Sequence, residues 1–416
     1  MKKGFFLYVL VVIFSFTLFF GCKVAKSKPV KLHLFHYKQE IVNELNEIAL
    51  AFSQKYPEIS IECETIPNDA QTVLKTRLTS GEAPDIMMLQ SYSTVQEYAK
   101  AGWLLDITKE PFMERIVDGA KNAVKYNNAL YALPMDMAGI GVVYNKQIFK
   151  DLGLNIPTTF DELKKVCETI NKNGKIPFSL SIKDNWPLGH FYSMIHTGLV
   201  GDKLFDWLKD MDEGKGSFKS PADMDYAFMI FDFYKSQGGP QAMSMTYNDQ
   251  TANFASGKYA MMVQGLWAYG NSKKLNPNLD AGFFPFPFSN DPEKNKLYVD
   301  TDSTLAISAT SSPEKIEAAK KFFDFLTSPE GVELWVTKCK LIPTVKGSKV
   351  DSMDPPFQDL MKYINEGKIM PWAFSMWPTT VFEESKKTMQ EYYSKQKTKD
   401  EVINYLDSLW KKARGL

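Results

Sequence analysis

VKLHLFHYKQEIVNELNEIALAFSQKYPEISIECETIPNDAQTVLKTRLTSGEAPDIMML, residues 30–89, is the stretch on which the fold turns. Residues 30–35 alternate apolar and polar side chains, which predicts a strand. Ile41, Leu45, Ile48 and Phe52 then recur at helical spacing, and Pro57 stops that helix. Residues 59–65 alternate again, with Ile59, Ile61 and Cys63 on one face. A second helix is predicted over 69–80, with Asp69 as its N-cap and Gly81 behind it. A third strand is predicted over 85–89. Strand and helix in strict alternation imply an α/β protein with a parallel sheet covered by helices.

The pattern resumes after residue 128. Short strands are predicted at 131–133 and 141–144. Thr159-Phe160-Asp161-Glu162 then reads as a capping box that opens a helix. Residues 190–238 are helical in period and rich in aromatics, and a further strand is predicted at 305–308. Ser312-Pro313 opens a helix carrying Ile316, Phe322 and Leu326. The C-terminal helix buries Ile403, Leu406 and Trp410. Repeats and low-complexity segments are absent from the sequence.

Ahead of the first strand, Lys2 and Lys3 lead into an apolar run from Phe5 to Phe20 that stops at Gly21-Cys22. A basic start, a short apolar middle and a small residue before the break are the marks of a secretory signal. The run is shorter than the about 20 residues that a membrane span needs. Cys22 after a small residue resembles a lipoprotein acylation site, with residues 22–29 as a lipidated tether behind a 1–21 signal peptide. Phe19 stands where that pattern prefers leucine. Lys plus Arg and Asp plus Glu both number 49, so no basic excess favours nucleic acid. Cys63, Cys167 and Cys339 each take the place of an apolar side chain in a strand or helix pattern, and are expected to be small buried hydrophobes.

Catalytic signatures are scarce. His33 and His36 fall on opposite faces of the first strand, and His190 and His196 have no carboxylate at ligand spacing, so no metal site is expected. There is no nucleophile elbow, and Gly214-Lys215-Gly216-Ser217 lacks the glycine placement of a phosphate loop. Paired carboxylates of the kind that hydrolyse glycosides have no local mark here.

Tryptophan carries the stronger signal. Trp207, Trp335 and Trp410 lie on helical stripes and Trp103 at a helix end, all suited to a core. Trp186, Trp267, Trp372 and Trp377 sit among Pro, Gly and turn residues. Such rings either pin loops to the core or line a cleft. A pyranose has an apolar face that packs on an indole, and hydroxyls that need Asp, Asn, Gln or Glu.

Several blocks, in order, resemble one family. They are Gly81-Glu82-Ala83-Pro84-Asp85-Ile86, Tyr131-Ala132-Leu133-Pro134, Val143-Tyr144-Asn145-Lys146, Phe149-Lys150-Asp151-Leu152-Gly153, Pro157-Thr158-Thr159-Phe160-Asp161-Glu162-Leu163, Phe254-Ala255-Ser256-Gly257-Lys258-Tyr259-Ala260-Met261, Gly265 with Trp267, and Ala318-Ala319-Lys320-Lys321-Phe322. They are similar to the extracellular solute-binding proteins of ABC importers, in the sugar-binding branch that includes maltose-binding protein.

The resemblance implies a two-lobed periplasmic-binding-protein-like fold of type II, with the ligand cleft between lobes joined by a hinge. It places the N-lobe at 30–135 and 303–345 and the C-lobe at 136–302 and 346–416. The chain would cross between lobes near 134–141, 300–305 and 342–349, with Gly139 and Gly141 offering either backbone freedom or close packing. It implies a monomeric carbohydrate-binding component without catalytic activity, cofactor or metal. Its partners would be a carbohydrate, the permease subunits and, through Cys22, the extracytoplasmic face of the membrane. Carried over residue by residue, Trp267 is the main stacking ring, with Trp377 and Trp186 as further aromatics and Trp372 beside them. Asp136 is an acidic hydroxyl ligand. Gln90 and Tyr92, and His36, Tyr37 and Glu40, follow strands at the carboxyl edge of the sheet, where open α/β sheets bind ligands. Asp300 and Asp302 stand at the second crossing, as hydroxyl ligands or as hinge turn residues. Rival readings are a polyamine, peptide or anion as ligand, and a surface glycosidase.

Overall fold

The computed structural model describes residues 29–416. The expected signal peptide, 1–21, and Cys22 lie outside the described residues. Two sheets organise the chain. The first has the order Ile59–Thr65, Val30–His36, Ile86–Gln90, Ser303–Ile307, Leu133–Pro134. Its first three strands pair in parallel, as the strand–helix alternation requires, and Ser303–Ile307 joins antiparallel. Helices Val42–Lys55 and Pro313–Leu326 cover one face, and Ala70–Ser80 and Ser93–Lys100 the other. Leu34 therefore packs with Ile48, Phe52 and Phe322, while its neighbour Phe35 packs with Leu74, Met87 and Val95. Full burial of such a side chain stabilises by about 1.5–3 kcal/mol over exposure.

The second sheet is centred on the long strand Asp136–Asn145. Its order is Ile369–Met370, Leu297–Thr301, Asp136–Asn145, Tyr259–Gly265, Ile176–Phe178, with Ala281–Phe284 and Ile342–Pro343 also paired to the long strand. Helices such as Phe160–Lys172, Trp186–Val200, Met224–Ser236 and Lys399–Arg414 enclose it, and one continuous core holds Trp207, Trp377 and Trp410. These sheets are the two lobes of a periplasmic-binding-protein-like α/β fold. Leu133–Pro134 belongs to one sheet and Asp136 to the other, and the same switch occurs between Thr301 and Ser303. The crossings are thus very short. In the third, Ile342 pairs with Met137 of the second sheet, while Val345 bridges back to Ile116.

Local chemistry explains most element ends. Thr159 and Glu162 form the capping box reciprocally, and Gly81 closes Ala70–Ser80 at φ 81°. Asp69 departs from expectation. It precedes that helix at φ 54° and its side chain caps nothing, so it turns the chain in place of an N-cap. Gly139 and Gly141 lie in the long strand, where a Cβ would come within 2.7 Å of Leu360 and of the Phe284 carbonyl respectively. Close packing, not backbone freedom, requires glycine at both. Cys63, Cys167 and Cys339 are free thiols, the last two buried.

Candidate functional site

A cavity of about 110 Å³ opens between the two sheets, enough for several waters or for part of a ligand in their place. The N-lobe contributes the loop after Val30–His36 (Tyr37, Lys38, Gln39 and Glu40), the end of the third strand (Gln90), and Pro67, Ala70 and Gln71 at the start of a helix. The C-lobe contributes mostly rings: Trp186, His190, Trp267, Trp372 and Phe374. Acceptors and one buried cation thus face an aromatic wall across the cleft.

Each ring is held for a local reason. Trp267 begins the helix Leu266–Leu275 directly after the strand ending at Gly265. Its indole folds back over that glycine, where a Cβ would lie 2.1 Å from the ring, so the Gly-x-Trp spacing is steric. Trp372 donates its indole N–H to the Tyr298 carbonyl at 2.8 Å and its backbone N–H to Asp300 Oδ2 at 3.1 Å. It stacks on Phe374 at 5.2 Å and meets Trp267 edge-on at 6.1 Å. Trp186 packs on Tyr247 at 4.9 Å. Trp186 is half-buried, while Trp267 and Trp372 are 8% and 2% exposed, so the wall is closely packed.

Lys38 organises the hinge end. It is 4% exposed, and its ammonium donates to Asp302 Oδ2 at 2.5 Å and to Asp136 Oδ2 at 3.4 Å. Burial alone would push the ammonium down, but the two carboxylates outweigh it and hold Lys38 above the usual lysine range. Burial pushes the Asp136 carboxyl up to about 6, against the pull of Lys38. Lys38 also stands 5.7 Å from the centre of Trp267. Glu40 has its carboxyl raised by burial, partly offset by Lys38. Because the two aspartates come from the first and second crossings and the lysine from the N-lobe, this triad ties cavity to hinge.

Of the residues singled out in the sequence, Trp186, Trp267, Trp372, Tyr37, Glu40, Gln90 and Asp302 line this cavity. The others lie elsewhere. Trp377 is wholly buried inside the C-lobe, 5.1 Å from Phe218 and 6.2 Å from Trp207 and Trp410; the turn Ala373–Met376 carries the chain from cleft to core before reaching it. His36 is also wholly buried, bonded through Nε2 to Thr65 Oγ1 at 2.7 Å, and burial lowers it to about 4. Its place at the end of the strand turns it inward. Asp136 sits behind Lys38, fully buried, and does not reach the cavity wall. Tyr92 donates to Asp300 Oδ1 at 3.0 Å, and Asp300 also accepts from the Thr301 and Trp372 backbones. That pair holds the second crossing together. Lys38, Gln71, His190 and Phe374 line the cavity without having been singled out for it. The only sequence signal for Lys38 was its position between Tyr37 and Glu40.

Among the described residues no group of His, Cys, Asp and Glu is arranged to hold a metal, and no helix is long and apolar enough to cross a membrane.

The profile of the bacterial extracellular solute-binding proteins matches residues 37–333. This chain belongs to that family. It binds a solute outside the cytoplasm and is not an enzyme. Among the family's relatives, the multiple sugar-binding protein of Streptococcus mutans is 27% identical, over 85% of this chain and 84% of its own. A chitin oligosaccharide binding protein superposes with a TM-score of 0.82 at 22% identity, covering 93% of this solute-binding protein and 99% of that chain. A sugar transporter protein of Bacillus licheniformis, in complex with stachyose, gives 0.79 at 20%, covering 92% and 100%.

Proposed function

We propose that this solute-binding protein captures a mono- or oligosaccharide between its lobes and delivers it to the permease of an ABC importer. The observation that carries the reading is the composition of the cavity: Trp186, Trp267 and Trp372 on one side, and Glu40, Gln90 and Asp302 with Lys38 on the other. Aromatic faces match the apolar face of a pyranose, and planar polar groups match its hydroxyls. Names among its relatives support the same class, including the multiple sugar-binding protein and the maltotriose-binding protein of Pyrococcus abyssi. The two groups of segments, 30–135 with 303–345 and 136–302 with 346–416, move as the two lobes, and ligand contacts from both favour the closed form.

Acylation of Cys22 tethers the protein, as a monomer, to the extracytoplasmic face of the membrane. The apolar run and the Gly21-Cys22 break support this. Cys22→Ala then abolishes lipid labelling and releases the protein from membranes.

A thermal-shift panel of raffinose, stachyose, maltotriose, simple hexoses and a polyamine tests the ligand class. A sugar at 100 times its dissociation constant adds about 2.7 kcal/mol of stability. Stabilisation by the polyamine alone would refute the sugar reading.

A further inference from the structure

We infer that Gln71 is a specificity-determining contact, whose side-chain amide pairs with one hydroxyl of the ligand from the N-lobe side of the cleft. The inference rests on the saccharide reading and names a residue for it. Gln71 is only 8% exposed, it lines the cavity, and its Oε1 is enclosed without any hydrogen-bond partner. Buried amide oxygens are almost always bonded, so an enclosed one at a cavity wall is a vacant acceptor.

Neither cation of the cavity is bonded to it. Lys38 is taken by Asp302 and Asp136. Lys386, the other cation of the cavity, is bonded to Glu383 at 2.6 Å and lies over the Phe382 ring at 4.5 Å. No side chain of the C-lobe wall, Ser375 and Glu383 included, hydrogen-bonds the Gln71 amide oxygen. A hydroxyl satisfies either end of an amide, because it both donates and accepts.

Position reinforces the chemistry. Asp69, at φ 54°, turns the chain between Pro67 and the first turn of Ala70–Ser80, and Pro67, Ala70 and Gln71 all line the cavity. A ligand stacked on C-lobe rings gains its Gln71 bond only when the N-lobe is near. The contact therefore rewards closure as well as binding.

The experiment compares the wild type with Gln71→Leu and Gln71→Met by calorimetry and melting curves. The probe is whichever of raffinose, stachyose, maltotriose and the simple hexoses of the panel stabilises the wild type most. Both variants are expected to bind it about tenfold more weakly, while melting without ligand at the wild-type temperature or above, since neither leaves an enclosed amide unpaired. One monodeoxy form of the same sugar should bind the wild type about tenfold more weakly and lose nothing further in either variant. Wild-type affinity in both variants would overturn the assignment and leave the saccharide reading intact. So would weaker binding accompanied by an equal fall in ligand-free melting temperature and no matching deoxy position. If neither the three named sugars nor the simple hexoses of the panel bind the wild type, the saccharide reading fails and the assignment with it.

Discussion

Trp372 and Trp377 flank the same short turn, Ala373–Met376, and end in opposite kinds of place. Both are nearly inaccessible, at 2% and 0% exposure, so burial does not separate them. Their neighbours do. Trp372 donates its indole N–H to the Tyr298 carbonyl and its backbone N–H to Asp300, and lines the cavity. Trp377 is surrounded by Phe218, His196, Tyr192, Trp207 and Trp410, and its indole N–H meets no acceptor. Trp372 is anchored through its polar edge beside the cavity, whereas Trp377 is held by ring contacts alone. The contrast predicts opposite phenotypes for chemically identical substitutions.

The largest effect belongs to the core. Trp377→Ala should destabilise the protein by about 3–5 kcal/mol, as removal of a fully packed ring does, and leave ligand affinity unchanged in the fraction that folds. Denaturant titration and calorimetry below the melting transition measure the two halves. Weakened sugar binding without loss of stability would move Trp377 back to the cleft.

Next is the cleft. Trp267→Ala should weaken saccharide binding about thirtyfold, or about 2 kcal/mol, with little change in ligand-free melting. If the variant instead melts early and binds normally, the indole over Gly265 is structural and the wall loses its principal ring.

An effect of similar size, confined to acid pH, sharpens the comparison through histidine. His196 lies within the Trp377 cluster, and burial pushes its imidazole down to about 3. Its folded value lies below the unfolded value of about 6.5, so the unfolded state binds more protons between the two. The contribution is complete above pH 6.5 and is lost as pH falls towards 3. At pH 5 that loss is about 2 kcal/mol, and His196→Phe should abolish it without touching sugar affinity. Melting curves of both proteins from pH 7 to pH 5 check this. Parallel curves would show that His196 does not control the acid side. His190, lowered to about 3 by burial and then by Lys386, lines the cavity instead.

The sequence by itself determined the α/β architecture and most of the elements, because those rest on local physics. Alternation, helical period, the Thr159–Glu162 capping box and Gly81 act over a few residues and hold in any context. Trp186, Trp267 and Trp372 were legible for the same reason, as bulky rings held in turns by Gly and Pro. What only the tertiary structure decided was which way side chains near a turn or strand end face. Trp377 was lost to the core by the turn before it, and His36 by the inward end of its strand. Asp136 was displaced from the cavity wall by Lys38, whose ammonium reaches two aspartates contributed by distant crossings. Gln71 was visible only once the enclosed oxygen had a cavity to face. Periodicity names a face within one element. Whether that face meets a core, an ion pair or an open cleft depends on segments hundreds of residues away, and the packing of the two lobes settles it.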